Sequence, residues 1–114
     1  MPQGAAAWKA FQNTMDSAAA ENTMKLIEAM QVTVEEKEIS GVLTRMVTPQ
    51  VVDEAFSDAI FIHLHGGAYT MNAGLAGISE AVLIANWVQI PVISVDYRMP
   101  PDYPFPAAQD DAVA

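Results

Sequence analysis

The sequence predicts an α/β fold with a mostly parallel sheet, and three observations carry that expectation. Residues 59–65 (Ala59-Ile60-Phe61-Ile62-His63-Leu64-His65) form a nearly unbroken apolar run with no acidic or Lys/Arg residue, as a strand buried on both faces would. Residues 78–89 read as a helix that is apolar nearly all round, from Ile78 through Ala81, Val82, Leu83, Ile84 and Ala85 to Trp87 and Val88. Such a helix is expected to be sandwiched between layers. Pro91-Val92-Ile93-Ser94-Val95 is a second apolar strand. Strand, helix and strand in that order make a βαβ unit, with parallel strands because the helix carries the chain back across the sheet.

The remaining elements follow from local signals. Residues 4–30 read as helix, in two pieces, with a break or new N-cap near Asp16-Ser17 or Asn22-Thr23. Trp8, Phe11, Met15 and Ala18 or Ala19 share one face, and Met24, Ile27 and Met30 continue such a face. That stripe either packs as an ordinary amphipathic face or forms a lid over an apolar pocket. Residues 32–48 read as a hairpin turning at Ser40-Gly41 and ended by Pro49, followed by a polar loop over 49–58. Residues 66–77 are a glycine-bearing loop. Beyond the second apolar strand come Pro100, Pro101 and Pro104, and then Pro106 as the first residue of another helix, with Asp110 and Asp111 near its start. Two parallel strands and a hairpin cannot cover their own faces, and no capping signal precedes Ala114. The expectation is therefore the first part of a longer protein, with cap helices over 1–30 and the start of the core over 31–114.

Composition excludes several functions. Apolar residues make up 52% of the 114 positions, enough for a packed core. The net charge is −9, and the five basic residues, Lys9, Lys25, Lys37, Arg45 and Arg98, are scattered. No phosphate-tracking patch can form, which argues against nucleic acid, and an anionic membrane surface would repel the chain. Cysteine is absent, so disulfide and thiolate chemistry are excluded. No apolar run is long enough to span a membrane. Trp8 and Lys9 interrupt the first alanines, against a signal peptide. The cytoplasm is the expected compartment.

The chemistry concentrates where the first apolar strand ends, at His65-Gly66-Gly67-Ala68-Tyr69. Two glycines there let bare backbone approach a ligand at the carboxyl edge of the sheet, where open α/β sheets place ligands. Backbone N–H groups at such a place can hold an oxyanion. Ala68 keeps its N–H and is expected at negative φ, since its Cβ makes positive φ costly. His63 and His65 stand two apart on a strand and face the same side, but no third ligand follows at useful spacing, so no metal is expected. Of the serines, Ser17, Ser40, Ser57, Ser79 and Ser94, only Ser79 has a Gly-x-Ser-like context, and no strand immediately precedes it; it reads as a helix N-cap. Ser94 lies within a strand. Tyr69 either lines a substrate pocket or packs under the loop. Arg98, the lone cation among Asp96, Asp102, Asp110 and Asp111, reads as a structural ion pair and less as a substrate clamp.

The order of hairpin, apolar strand, His65-Gly66-Gly67-Ala68-Tyr69, helix, Val95-Asp96-Tyr97-Arg98, proline-rich loop and Phe105-Pro106-Ala107-Ala108 resembles the bacterial hormone-sensitive-lipase-like carboxylesterases. The resemblance implies the N-terminal part of an α/β-hydrolase. It also implies hydrolysis of short- to medium-chain carboxylic esters through an acyl-enzyme, without a cofactor. By the same resemblance, Gly67 and Ala68 supply oxyanion donors, with Gly66 shaping the turn. His65 holds the loop and is not the catalytic base, and Asp96 and Arg98 lend structural support. Asp102 stands where glutamate is commoner. The nucleophile, acid and catalytic histidine are expected from residues beyond this chain, as a second chain or a further segment. The rival readings are a non-catalytic binding or receptor protein of the same fold, and a short chain completed by a second copy or another subunit.

Overall fold

The computed structural model describes residues 1–114. Its elements are α1 (Ala5–Met30), β1 (Thr33–Ile39), β2 (Val42–Thr48), β3 (Phe61–Leu64), α2 (Ser79–Val88), β4 (Val92–Val95) and α3 (Ala107–Val113). Short 3-10 turns cover Glu54–Phe56 and Gly74–Ile78. One four-stranded sheet runs in the order β1-β2-β4-β3. β1 and β2 form the hairpin, and the turn places Ser40 at φ 51 and Gly41 at φ 78. Two successive positive φ values suit a tight two-residue hairpin, because their twist matches that of the strands. β3 and β4 pair in parallel, with Ile62 opposite Ile93, and β4 pairs antiparallel with β2. The sheet is therefore mixed, with a parallel βαβ unit at one side.

The core lies between the sheet and α2. Ala81, Val82 and Ala85 are fully buried against Val47 and Val92, and Ile78, Val32 and Ile90 close the cluster. α1 adds Leu26, Ile27 and Met30 from its C-terminal half. No helix is long and apolar enough to cross a membrane.

Five expectations are corrected here. α1 is one unbroken helix. The candidate break residues are satisfied without a break: Thr23 Oγ1 donates back to the Ala19 carbonyl at 3.0 Å, and the Asp16 carboxylate is engaged by a distant loop. The inward face of α1 is also not the apolar one expected in its first half. Gln12 and Thr23 are buried while Phe11, Met15 and Met24 are exposed. The inward stripe runs Gln12, Asp16, Ala19/Ala20, Thr23, Ile27 and Met30, rotated by one residue because its N-terminal half meets backbone polar groups rather than a core. Ser79 is the first residue of α2 and makes no capping bond; the preceding 3-10 turn already supplies the helix entry. Finally, β3 is an edge strand with Phe61, Ile62 and Leu64 exposed, and α2 packs by one face only, leaving Trp87 and Val88 outside.

Arg45 ties the sheet to its surroundings. It sits in β2 and is 6% exposed, donating to Asp96 at 2.6 Å and to Glu36 at 2.9 Å. Removing one member of a buried pair leaves the other charge desolvated and alone. Arg45→Met is therefore expected to lower unfolding free energy by about 3–5 kcal/mol, read as a shift in the urea midpoint at unchanged slope. A shift corresponding to less than about 1 kcal/mol, as for an exposed pair, would show that Asp96 is solvated.

Candidate active site

The site is built on the chain reversal after β3. Gly67 has φ 127, and Ala68 and Tyr69 follow at φ 54 and 58. The expectation of negative φ at Ala68 is thus corrected. The reversal brings the N–H groups of Thr70 and Met71 onto the Gly67 carbonyl, each at 3.0 Å, and two left-handed residues in between are what the return requires. Asn72, also at positive φ, donates its side-chain amide to the Gly66 carbonyl at 2.9 Å. Gly67 has no alternative residue: a Cβ there would sit 2.3 Å from the Met71 carbonyl oxygen. Gly66 differs, with open space around its missing Cβ. The N–H groups of Gly67 and Ala68 donate to no group of the chain outside the regular elements.

His65 and Tyr97 hold the loop from below. The buried His65 ring stacks on Tyr97 with centroids 4.1 Å apart and planes 8° from parallel. His65 Nδ1 lies 2.8 Å from the Gly66 carbonyl, which it meets as a donor. The Tyr97 hydroxyl donates to the His65 carbonyl. Burial pushes the His65 pKa down, so the ring is neutral near pH 7, and burial pushes the Tyr97 hydroxyl up, keeping its proton. The carboxylate of Asp96 accepts the Gly74 N–H at 3.2 Å as well as the Arg45 guanidinium. Arg98 pairs with Asp111 of α3 through its Nε and Nη2, at 2.7–3.0 Å, and Asp111 also accepts the Arg98 backbone N–H at 2.8 Å. Arg98 thereby fixes the proline-rich loop to α3.

Two clefts open beside the reversal. One, of about 290 Å³, is lined by Gly66, Gly67, Ala68, Tyr69, Tyr97 and Ala108. The other, of about 300 Å³, is lined by Tyr69, Pro100, Tyr103, Phe105 and Gln109. Tyr69 is 63% exposed and stands in both linings, so its ring forms a wall rather than packing under the loop.

Known proteins share this fold. A profile of the alpha/beta hydrolase fold matches residues 61–114. An esterase E25 crystal structure is 38% identical and superposes with a TM-score of 0.94, covering 98% of this chain and 34% of that one. The ethyl acetate hydrolase of Pseudomonas putida is 35% identical over 69 residues, 60% of this chain and 22% of that protein. The chloroplastic tuliposide A-converting enzyme 2 of Tulipa gesneriana is 32% identical over 78 residues, 66% of this chain and 20% of that protein. The chain carries the α/β-hydrolase fold. The matched stretch spans about a fifth of the length of these curated relatives and about a third of the solved structure.

One serine–histidine–carboxylate arrangement in the chain could be mistaken for a triad. Ser94 Oγ lies 2.9 Å from His63 Nδ1, and His63 Nε2 lies 3.3 Å from Glu80 Oε2. Ser94 is 2% exposed, in the middle of β4, and lines neither cleft. A nucleophile needs a turn that exposes its oxygen, so these residues tie β3, β4 and α2 together. His63 and His65 are both buried and no cluster of three metal-ligating side chains exists.

Several site residues were not legible in the sequence. Gln12, Asp16, Arg45 and Tyr97 all reach the loop or its supports across long stretches of chain. The one available signal was polarity at helical spacing, Gln12 and Asp16 being one turn apart.

Two predictions follow from this geometry. Gly67→Ala is expected to cost about 1–3 kcal/mol from backbone strain alone, plus the clash, whereas Gly66→Ala shifts the thermal midpoint little. Equal effects at the two glycines would contradict the described reversal. Hydrogen bonding from Arg98 holds the Asp111 carboxyl below its ordinary value. The unfolded chain then binds more protons than the native one, so this stabilisation is complete above about pH 4 and is lost as pH falls through the lowered native value. Asp111→Asn should flatten that acid limb in urea midpoints measured against pH; an unchanged limb would rule out this role for Asp111.

Proposed function

We propose that the complete protein is a serine carboxylesterase acting on short- to medium-chain esters, and that residues 66–68 supply its oxyanion hole. The observation that carries this is the pair of N–H groups at Gly67 and Ala68. They face no acceptor in the chain, at the carboxyl end of β3, beside a cleft walled by Tyr69. A tetrahedral intermediate of acyl transfer concentrates negative charge on one oxygen. Donors fixed in advance stabilise that charge more than the ground-state carbonyl. Ala68 serves as well as a third glycine here, because the contribution comes from its backbone, and the loop holds it at positive φ.

The roles divide accordingly. Gly67 and Ala68 donate to the oxyanion, and Gly66 and His65 set the turn. Tyr69 contacts the ester as the wall between the two clefts. Asp96 and Arg98 brace the loops behind. None of the serines here occupies a nucleophile elbow, so the attacking hydroxyl, its base and its acid come from elsewhere in the complete enzyme. No cofactor is needed, since acyl transfer to serine and hydrolysis use only side chains, backbone and water. The names of the relatives, an esterase and an ethyl acetate hydrolase among them, support the same reaction class.

The test is turnover by the complete protein on p-nitrophenyl acetate and butyrate, paired with one backbone change. Replacing the amide between Gly67 and Ala68 by an ester removes the Ala68 N–H and leaves its side chain. The account expects turnover, with kcat falling by about 100- to 1000-fold in the substituted protein. Turnover unaffected by that replacement would refute the oxyanion assignment, and no turnover on any short-chain ester would favour a non-catalytic member of the fold.

A further inference from the structure

The first half of α1 presents polar groups to the loop, and they fit it closely. Gln12 is 8% exposed, and its side-chain amide donates to the Thr70 carbonyl at 2.5 Å and to the Pro100 carbonyl at 2.8 Å. One turn later, the Asp16 carboxylate accepts the Asn72 N–H at 2.7 Å on one oxygen and the Ala73 N–H at 3.3 Å on the other. The next amide, Gly74 N–H, goes to Asp96. Three successive amides are thus taken up by two carboxylates from different elements. They lead into the 3-10 turn Gly74–Ile78, which has no side-chain cap of its own. Asp96 accepts the first amide of that turn, and Asp16 takes up from α1 the two amides just before it.

We infer that Gln12 and Asp16 are positioning residues for the oxyanion loop, holding both its carbonyl side and its amide side in register with α1. The inference rests on the oxyanion reading of Gly67 and Ala68. Ala68 and Tyr69 are non-glycine residues at positive φ, a conformation each disfavours. Such a conformation persists only where its surroundings over-determine it. The return of the chain fixes one end of the strained pair through the Gly67 carbonyl. Gln12 and Asp16 fix the other end, at Thr70 and at Asn72-Ala73. Gln12 also bonds the Pro100 carbonyl, so the loop behind Tyr69 and the reversal move together with the helix. Displacing oxyanion donors by even about 1 Å is enough to slow the chemical step by roughly 100-fold.

The electrical character of both contacts gives near-isosteric tests. Gln12→Glu keeps the shape but turns a donor toward two carbonyl oxygens into an acceptor. Asp16→Asn keeps an oxygen for one amide and sets an NH₂ against the other. Steady-state hydrolysis of p-nitrophenyl butyrate is measured on the complete protein with these variants, with Asp16→Ala, and with Thr14→Ala as a control on the exposed face of α1. Circular dichroism establishes that each is folded. The expected result is a kcat roughly 10- to 100-fold lower in Gln12→Glu and Asp16→Ala, with KM within about threefold. Asp16→Asn should fall between Asp16→Ala and wild type, and Thr14→Ala should match wild type. Amide hydrogen exchange at Asn72 and Ala73 should accelerate in both Asp16 variants. If Asp16→Ala fails to fold, the two near-isosteric variants decide alone. An unchanged kcat in folded Gln12→Glu and Asp16→Asn would overturn the inference while leaving the esterase reading intact. A wild-type protein without ester turnover would instead remove the reading on which it rests.

Discussion

The reversal at Gly67 depends on one close approach of backbone to backbone. The carbonyl of Gly67 collects the Thr70 and Met71 amides at 3.0 Å, and the Met71 carbonyl passes where a Cβ on residue 67 would be. That approach sets the left-handed course of Ala68 and Tyr69, and the N–H groups of Gly67 and Ala68 just after β3 have no acceptor in the chain. Everything around the loop maintains it. His65 and Tyr97 support it from within the sheet layer, Asp96 and Arg45 anchor its exit, and Gln12 and Asp16 close it from α1. The strain lies at the residues that line the cleft, and its compensation is spread over α1, β2 and the residues just after β3 and β4.

This arrangement explains why α1 carries polar residues on its inward face. A helix packed on a core buries an apolar stripe. The C-terminal half of α1 does so with Ile27 and Met30, whereas the N-terminal half meets a loop whose carbonyl and amide groups require partners. Backbone polar groups buried without partners are costly. An amide that donates and a carboxylate that accepts answer that requirement one helical turn apart. Phe11 and Met15 are consequently turned outward, although they look like the natural inward set.

Much of the fold was readable because it follows from local chemistry. The apolar runs at 59–65 and 91–95 mark β3 and β4, Ser40-Gly41 marks the hairpin, and the two glycines after β3 mark the site. The errors share a cause. Negative φ at Ala68, a break in α1 and an apolar inward face were all expected from propensities of single residues. In each case a contact more than fifty positions away, or a carbonyl within the loop itself, decided otherwise. β3 was read as covered on both faces because its composition suits a central strand, yet in this chain it forms the sheet edge. Arg45 looked like any scattered cation, since nothing local to β2 announces that Asp96 lies across the sheet edge from it.

The most direct test of the central claim is a crystal structure of the complete protein inhibited by a phosphonate ester, whose phosphoryl oxygen stands in for the oxyanion. The account predicts that oxygen at about 2.7–3.1 Å from the N–H nitrogens of Gly67 and Ala68, with Ala68 still at positive φ and the Gln12 and Asp16 bonds in place. A phosphoryl oxygen held by other donors, or a loop that rearranges to negative φ at Ala68 on binding, would contradict it.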